Sequence, residues 1–239
     1  PVADGHHQYH LELRDEQRAV TSQDFQRLAR NFRIIVNDIV IFPVRAHCLP
    51  RRNLESGEKN AVKIDAPAHV SVLIVPYTSE LGGGVKKYLN GLSLLTTRVH
   101  VVAPVYLKVA VNVMVNIFVD RNEIAMEQEI RKQLAAYFAP LPGDSNSQGW
   151  PFGQAIYVSE LYAFLDSIDG VDYVIPSGED DKPELIAENN PQSPRRILEG
   201  QGVNENLIGI HLEPNELVDF DQENSSIVVK RLTTLIPKK

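Results

Sequence analysis

Residues that usually carry chemistry are scarce in this chain of 239 residues. It holds one cysteine, Cys48, which excludes an internal disulfide. Cys48 closes the run VRAHC and reads as a small buried hydrophobe; a single cysteine also fits a reducing compartment. No HExxH helix and no nucleophile elbow occur. The triplet Gly82-Gly83-Gly84 is followed by Val85, whereas a phosphate-binding Walker loop needs lysine after its last glycine. The sequence also lacks any uncharged apolar run of about 18 residues, so no membrane-spanning helix is expected. No signal-peptide pattern opens it, and its start, Pro1-Val2-Ala3, lacks methionine, as in a processed or excerpted chain.

What is present is ordinary globular material. Apolar residues make up 43% and charged residues 23%, enough for a packed core rather than disorder. A formal net charge of −7 argues against nucleic acid or an anionic membrane surface as partner.

The scattered polar residues do not form a site. His6, His7 and His10 lie near Asp4, but Gly5 opposes the helix that a zinc pair would need, so they read as a tail. His47, His69, His100 and His211 each sit near a strand and read as structural histidines with satisfied hydrogen bonds. Glu179-Asp180-Asp181 lacks the ligand alternation of a calcium loop and reads as a solvated acidic loop. Asp166, Asp169 and Asp172 cross a helix end and a strand start, so no paired-carboxylate centre follows. No catalytic, cofactor-binding or metal residue is expected, and no enzyme activity.

Periodicity gives the organisation. Thr21 and Asp24 form an imperfect capping box before a short helix over roughly 22–30, with Phe25 and Leu28 on one face. RIIVNDIVIFPVRAHC (33–48) is strand-rich and broken at Asn37-Asp38 and Pro43. Residues 51–60 read as a solvent loop. HVSVLIVPY (69–77) is apolar enough for a central strand. TSELGGG (78–84) is expected as a flexible connection, before a short helix at 85–95.

The clearest strand follows Pro104. Every odd position from Leu107 to Val119 is apolar, while Lys108, Asn112 and Asn116 lie between them. This period predicts one core-facing side and antiparallel pairing with 171–176 or a neighbour. Asp120, with Glu123, is expected to cap the next helix, whose stripe is Met126, Ile130, Leu134 and Tyr137/Phe138. A short strand at 156–158 precedes a second helix capped by Ser159, burying Tyr162, Leu165 and Ile168, with Gly170 just past its end. Val171–Ile175 returns as a third strand.

The expected fold class is therefore α+β, with mixed sheets and a ferredoxin-like (split βαβ) core. Four regions are expected: an extended segment at 1–20, a small mixed unit at 21–97, the β-α-β-α-β core at 98–176, and a tail at 177–239. The tail opens with an irregular excursion at 177–206, of the kind used by interface arms. Strands at 207–212, 216–220 and 225–231 follow, with DQEN (221–224) as a hairpin turn. That hairpin is either local or donated to a neighbouring chain.

Several strings in this region carry a likeness. LLTTRVHVVAP with Tyr106 (94–106), LAAYFAP (134–140), GWPFGQAIYVSEL (149–161) and IDGVDYV (168–174) occur in an order that resembles the baseplate J-like family. The helix TSQDFQRLAR and the strand HVSVLIVP are similar to its preceding segments, whereas RIIVNDIVIFPVRAHC (33–48) departs from its pattern of a short glycine-containing turn and one strand. The resemblance implies a structural protein of a phage tail or contractile injection baseplate, located in the assembled particle after cytoplasmic assembly in a bacterial host. It implies other wedge and hub proteins, and further copies of itself, as partners. It implies no cofactor. The candidate structural or interface residues are Arg98, Pro104, Tyr106, Gly149, Trp150, Pro151, Phe152, Gly153 and Gly170. Trp150 has two readings, a loop aromatic folded onto the core or an anchor for a partner protein. Arg98 likewise pairs locally with a carboxylate or forks across an interface.

Overall fold

The computed structural model describes residues 18–141, 149–175, 185–187, 197–199 and 207–231. The N-terminal histidines and the acidic stretch 179–181 lie outside the described residues, as does most of 177–206. Two units divide the chain, Pro1–Pro104 and Val105–Lys239. The strand that starts at Arg98 pairs inside the first unit.

The first unit opens with helix α1 (Ser22–Asn31), and the capping box is complete: Thr21 and Asp24 each accept from the other's backbone N–H. Strands β1 (Ile34–Val36) and β2 (Ile39–Ile41) form a separate two-stranded sheet. Asn37 and Asp38 both take positive φ, 50° and 63°, as a two-residue hairpin turn requires. A second sheet contains β3 (Arg45–Pro50), β4 (His69–Val75) and β5 (Arg98–Val102), with β4 central, antiparallel to β3 and parallel to β5.

The parallel pair needs a crossover, and helix α2 (Ser79–Leu92) supplies it. The glycine triplet expected in a flexible connection is thus helical, with Thr78 as N-cap accepting from Leu81 N–H. Close packing explains glycine here. A Cβ on Gly84 would meet the Phe32 ring at 2.8 Å, and one on Gly82 would meet Tyr77 at 2.6 Å. The face of α2 formed by Leu81, Val85 and Leu89 is fully buried with Phe25, Leu28, Val72 and Ile74. Each such aliphatic contributes about 1.5–3 kcal/mol of transfer free energy.

The second unit is organised around β6 (Val105–Ile117), whose odd positions from Leu107 to Ile117 are all buried. Helix α3 (Glu123–Tyr137) lays Met126, Ile130, Leu134 and the following Phe138 on that core. Its cap is Asn122, which accepts from Ala125 N–H; the expected cap Asp120 lies two residues too early. A short strand β7 (Ile156–Tyr157) leads into α4 (Val158–Asp166). That helix starts one residue before Ser159 and has no side-chain cap, and it buries Leu161 rather than Tyr162 beside Leu165. Gly170 takes φ +98° against Met126 before β8 (Val171–Val174).

The class is α+β with mixed sheets, as the patterning predicts. β8 pairs antiparallel with the far end of β6, Val115 opposite Val174, with a bulge at Asn116/Ile117. The middle strand of the β-α-β-α-β series pairs elsewhere. β7 joins β11 (Leu207–Ile210), which pairs in turn with β10 (Ile197–Glu199). Gly209 makes this possible, since a Cβ there would lie 2.2 Å from the Ile156 carbonyl oxygen.

The other partners of β6 come from the tail. β9 (Leu185–Ala187), within the stretch expected to be irregular, pairs antiparallel at Val109–Val111. β12 (Glu216–Phe220) and β13 (Ser226–Lys230) both run parallel to β6, along 105–109 and then 112–116. They do not form the expected hairpin with each other. Asp221 accepts from the backbone N–H of Glu223 and Asn224, so the chain loops out and resumes its direction. Ser225 and Asn112 fill the gap: Val111 N–H donates to Ser225 Oγ, and Ser226 N–H to Asn112 Oδ1. Among the described residues of the tail, Leu217 and Val218 are fully buried, and Ile210, Leu212, Val218 and Ile227 belong to this unit's core.

Candidate functional site

The loop 149–153 draws together most of the candidate residues. Gly149 and Gly153 take φ +71° and +65°, which lets the chain turn on either side of Trp150. Trp150 is only 4% exposed. Its backbone N–H donates to the Ala139 carbonyl at 2.8 Å, and its indole Nε1–H to the Gln154 carbonyl at 3.1 Å. The ring meets Tyr137 and Phe138 at 5.3 Å each between centroids. Tyr137 stacks on Phe164, and Phe138 on Phe220, so this one cluster joins α3, the loop, α4 and β12.

Gly153 fixes the other side. Its N–H donates to the Glu216 carbonyl at 3.1 Å, and a Cβ would lie 2.8 Å from Pro214 Cα. Pro151 is exposed and Phe152 half-buried beside it. The arrangement ties the helical layer to the start of β12. A buried indole presents no surface to a partner, so the geometry is that of a folded-in loop aromatic.

The remaining candidates do not join this cluster. Arg98 is an exposed residue at the start of β5, whose N–H donates to the Ala68 carbonyl. Pro104 is buried at the end of the first unit, and Tyr106 is 42% exposed on β6. Gly170 sits under Met126 at the start of β8.

Sequence reasoning missed one constellation. In the first unit, His69 Nδ1 lies 2.7 Å from His100 Nε2, and His100 Nδ1 lies 2.8 Å from Glu55 Oε2. Lys86 Nζ donates to both oxygens of the same carboxylate at 2.7 and 2.9 Å. Burial raises the Glu55 pKa, but hydrogen bonds from His100 and Lys86 outweigh it and hold the group below its ordinary value. Desolvation, then the charges of His100 and Arg98, push His69 down. His47 on β3 is also lowered, by burial and then by Arg45. The four-residue chain pins the 51–68 loop to β4, β5 and α2. Its only sequence trace was that His69 and His100 each open or occupy a strand; the pairing of those strands in parallel register brought them together.

Ser71, opposite His100 in the register, is fully buried, accepts from Leu54 N–H and donates to the Arg52 carbonyl. Burial pushes the Cys48 thiol up to about 11, so it is no thiolate nucleophile. Arg51, exposed in the loop, forms a bidentate pair with Asp65. Among the described residues no group of three His, Cys, Asp or Glu side chains is placed to hold a metal ion. No helix among them is long and apolar enough to cross a membrane.

Comparison with known proteins gives one line of likeness. No protein-family profile matches the chain, and no curated protein matches it. Among solved structures it is similar to a chain of the anti-feeding prophage baseplate, described as six-fold symmetrised. The TM-score is 0.52 at 12% sequence identity, over 88% of this chain. The chain spans 39% of the length of that structure's chain. The two share a fold.

Proposed function

We propose that this chain is a structural component of a tail baseplate, of the phage or contractile-injection type. One observation carries the reading: 88% of the chain follows the fold of a baseplate chain. The ordered series at 94–106, 134–140, 149–161 and 168–174, with its resemblance to the baseplate J-like family, supports the finer assignment to a wedge subunit. In that role the chain contacts other wedge and hub proteins around the tail axis and helps pass a baseplate rearrangement to the sheath. It performs no catalysis. The buried Trp150 cluster and the continuous β6 sheet suit a part that moves as a rigid body between two assembled states.

A second reading, an adaptor of some other multi-protein assembly, is favoured by the exposed apolar hairpin of the first unit. Affinity purification separates the two. A tagged full-length protein, expressed in cells that assemble the particle, is expected to bring down tail tube, sheath or hub components in fixed ratio. Recovery of a stable complex without any tail component would overturn the baseplate reading and favour the adaptor.

A further inference from the structure

The β1–β2 hairpin carries apolar residues on both sides, and only its base packs on the first unit: Ile39, on the side of Ile34 and Ile41, is 64% exposed. Ile34 and Ile41, paired across the strands, pack against the first unit's core. The next pair, Ile35 and Val40, points the other way and is 70% and 54% exposed. Phe42, just past the end of β2, is 38% exposed. A two-stranded sheet is marginal alone, and native strands usually put polar residues on a free side. An aliphatic cross-strand pair left in water is the pattern of a surface that another chain covers.

The charges beside it say what kind of chain. Arg33 lies on the same side as Ile35, its guanidinium carbon 4.0 Å from the Phe42 ring centroid. It donates to the carbonyls of Arg30 and Phe32, not to a carboxylate. Among the described residues no salt bridge engages Arg30 or Arg33, although the chain as a whole is acidic at −7. The single acidic residue of the hairpin, Asp38, is at the turn. Pairing with the same face of a second copy would bring Arg33 no carboxylate other than the turn residue Asp38, which disfavours a second copy.

We propose that this hairpin docks an extended apolar segment of a different subunit, whose carboxylates meet Arg33. The inference rests on the baseplate reading and names one of its contacts. The test places a photo-cross-linking benzoylphenylalanine at Val40 of the full-length chain, in cells that build the particle. From purified particles, the cross-link is expected in another tail subunit, within a few residues of Asp or Glu. In parallel, Val40→Glu is expected to reduce incorporation at least about tenfold, because it adds a carboxylate facing carboxylates; Val40→Lys loses far less. Both variants should melt as the parent does, since Val40 is exposed. Equal incorporation of the two variants overturns the proposal. So does a cross-link to a second copy or to lipid, or no cross-link from an incorporated chain. If the unmodified chain never enters a particle, the baseplate reading fails first and this contact with it.

Discussion

Replacing Trp150 by alanine tests the architecture of the second unit most directly. The indole is 4% exposed and contacts Tyr137 and Phe138, and its N–H satisfies the Gln154 carbonyl. Truncating a buried aromatic to alanine costs about 3–5 kcal/mol, from lost transfer energy and the cavity left behind. At roughly 2–4 °C per kcal/mol for a domain of this size, melting should fall by about 6–20 °C. Trp150→Phe keeps an aromatic ring in the cluster but strands the Gln154 carbonyl, and should lie between the two. The assay is thermal melting of the isolated chain followed by near-UV dichroism, with urea unfolding as a check. Trp150→Ala melting within about 1 °C of the parent would refute the packing argument, and loss of particle incorporation alone would point to an anchor instead.

Two further outcomes follow from the first unit. His47 and His69 both have lowered pKa values, so the unfolded chain binds more protons than the folded one as pH falls below the ordinary 6.5. Stability from these groups is complete above that value and is lost as pH drops through their folded values; urea midpoints should decline from pH 7.5 to 5, and NMR titrations above 6.5 would contradict this. Gly83 and Gly84 are adjacent in α2, but a Cβ on Gly83 meets nothing within 4 Å, whereas one on Gly84 meets Phe32 at 2.8 Å. Gly83→Ala should therefore stabilise by about 0.5–1 kcal/mol, while Gly84→Ala should give no gain or a loss, and urea denaturation of both variants decides it.

Much of the local structure was legible. The Thr21/Asp24 box, the Asn37-Asp38 turn, the valine alternation of β6 and the stripe from Met126 to Phe138 are all short-range patterns. Each depends on residues within a few positions, and each appears in the structure. The errors also have a local cause. Three glycines carry a low helix propensity, so 78–84 read as a connection, yet Tyr77 and Phe32 pack where side chains at Gly82 and Gly84 would be. Asp120 and Ser159 are good capping residues in isolation, but Asn122 is better placed on α3, and α4 begins without a side-chain cap.

The sequence by itself determined which faces are apolar, where several helices and turns begin, and that the chain carries no recognisable catalytic pattern. Periodicity records that a face is buried, but not which segment buries it. Only the tertiary structure decided that β12 and β13 run parallel along β6 instead of forming a hairpin. It alone placed β7 beside β11, where Gly209 allows a close backbone approach. The same holds for His69 and His100, separated in sequence by a whole helix and joined by the register of β4 and β5. Pairing of distant strands depends on edge hydrogen bonds and on side chains far apart in the chain, and these leave no mark in any local window.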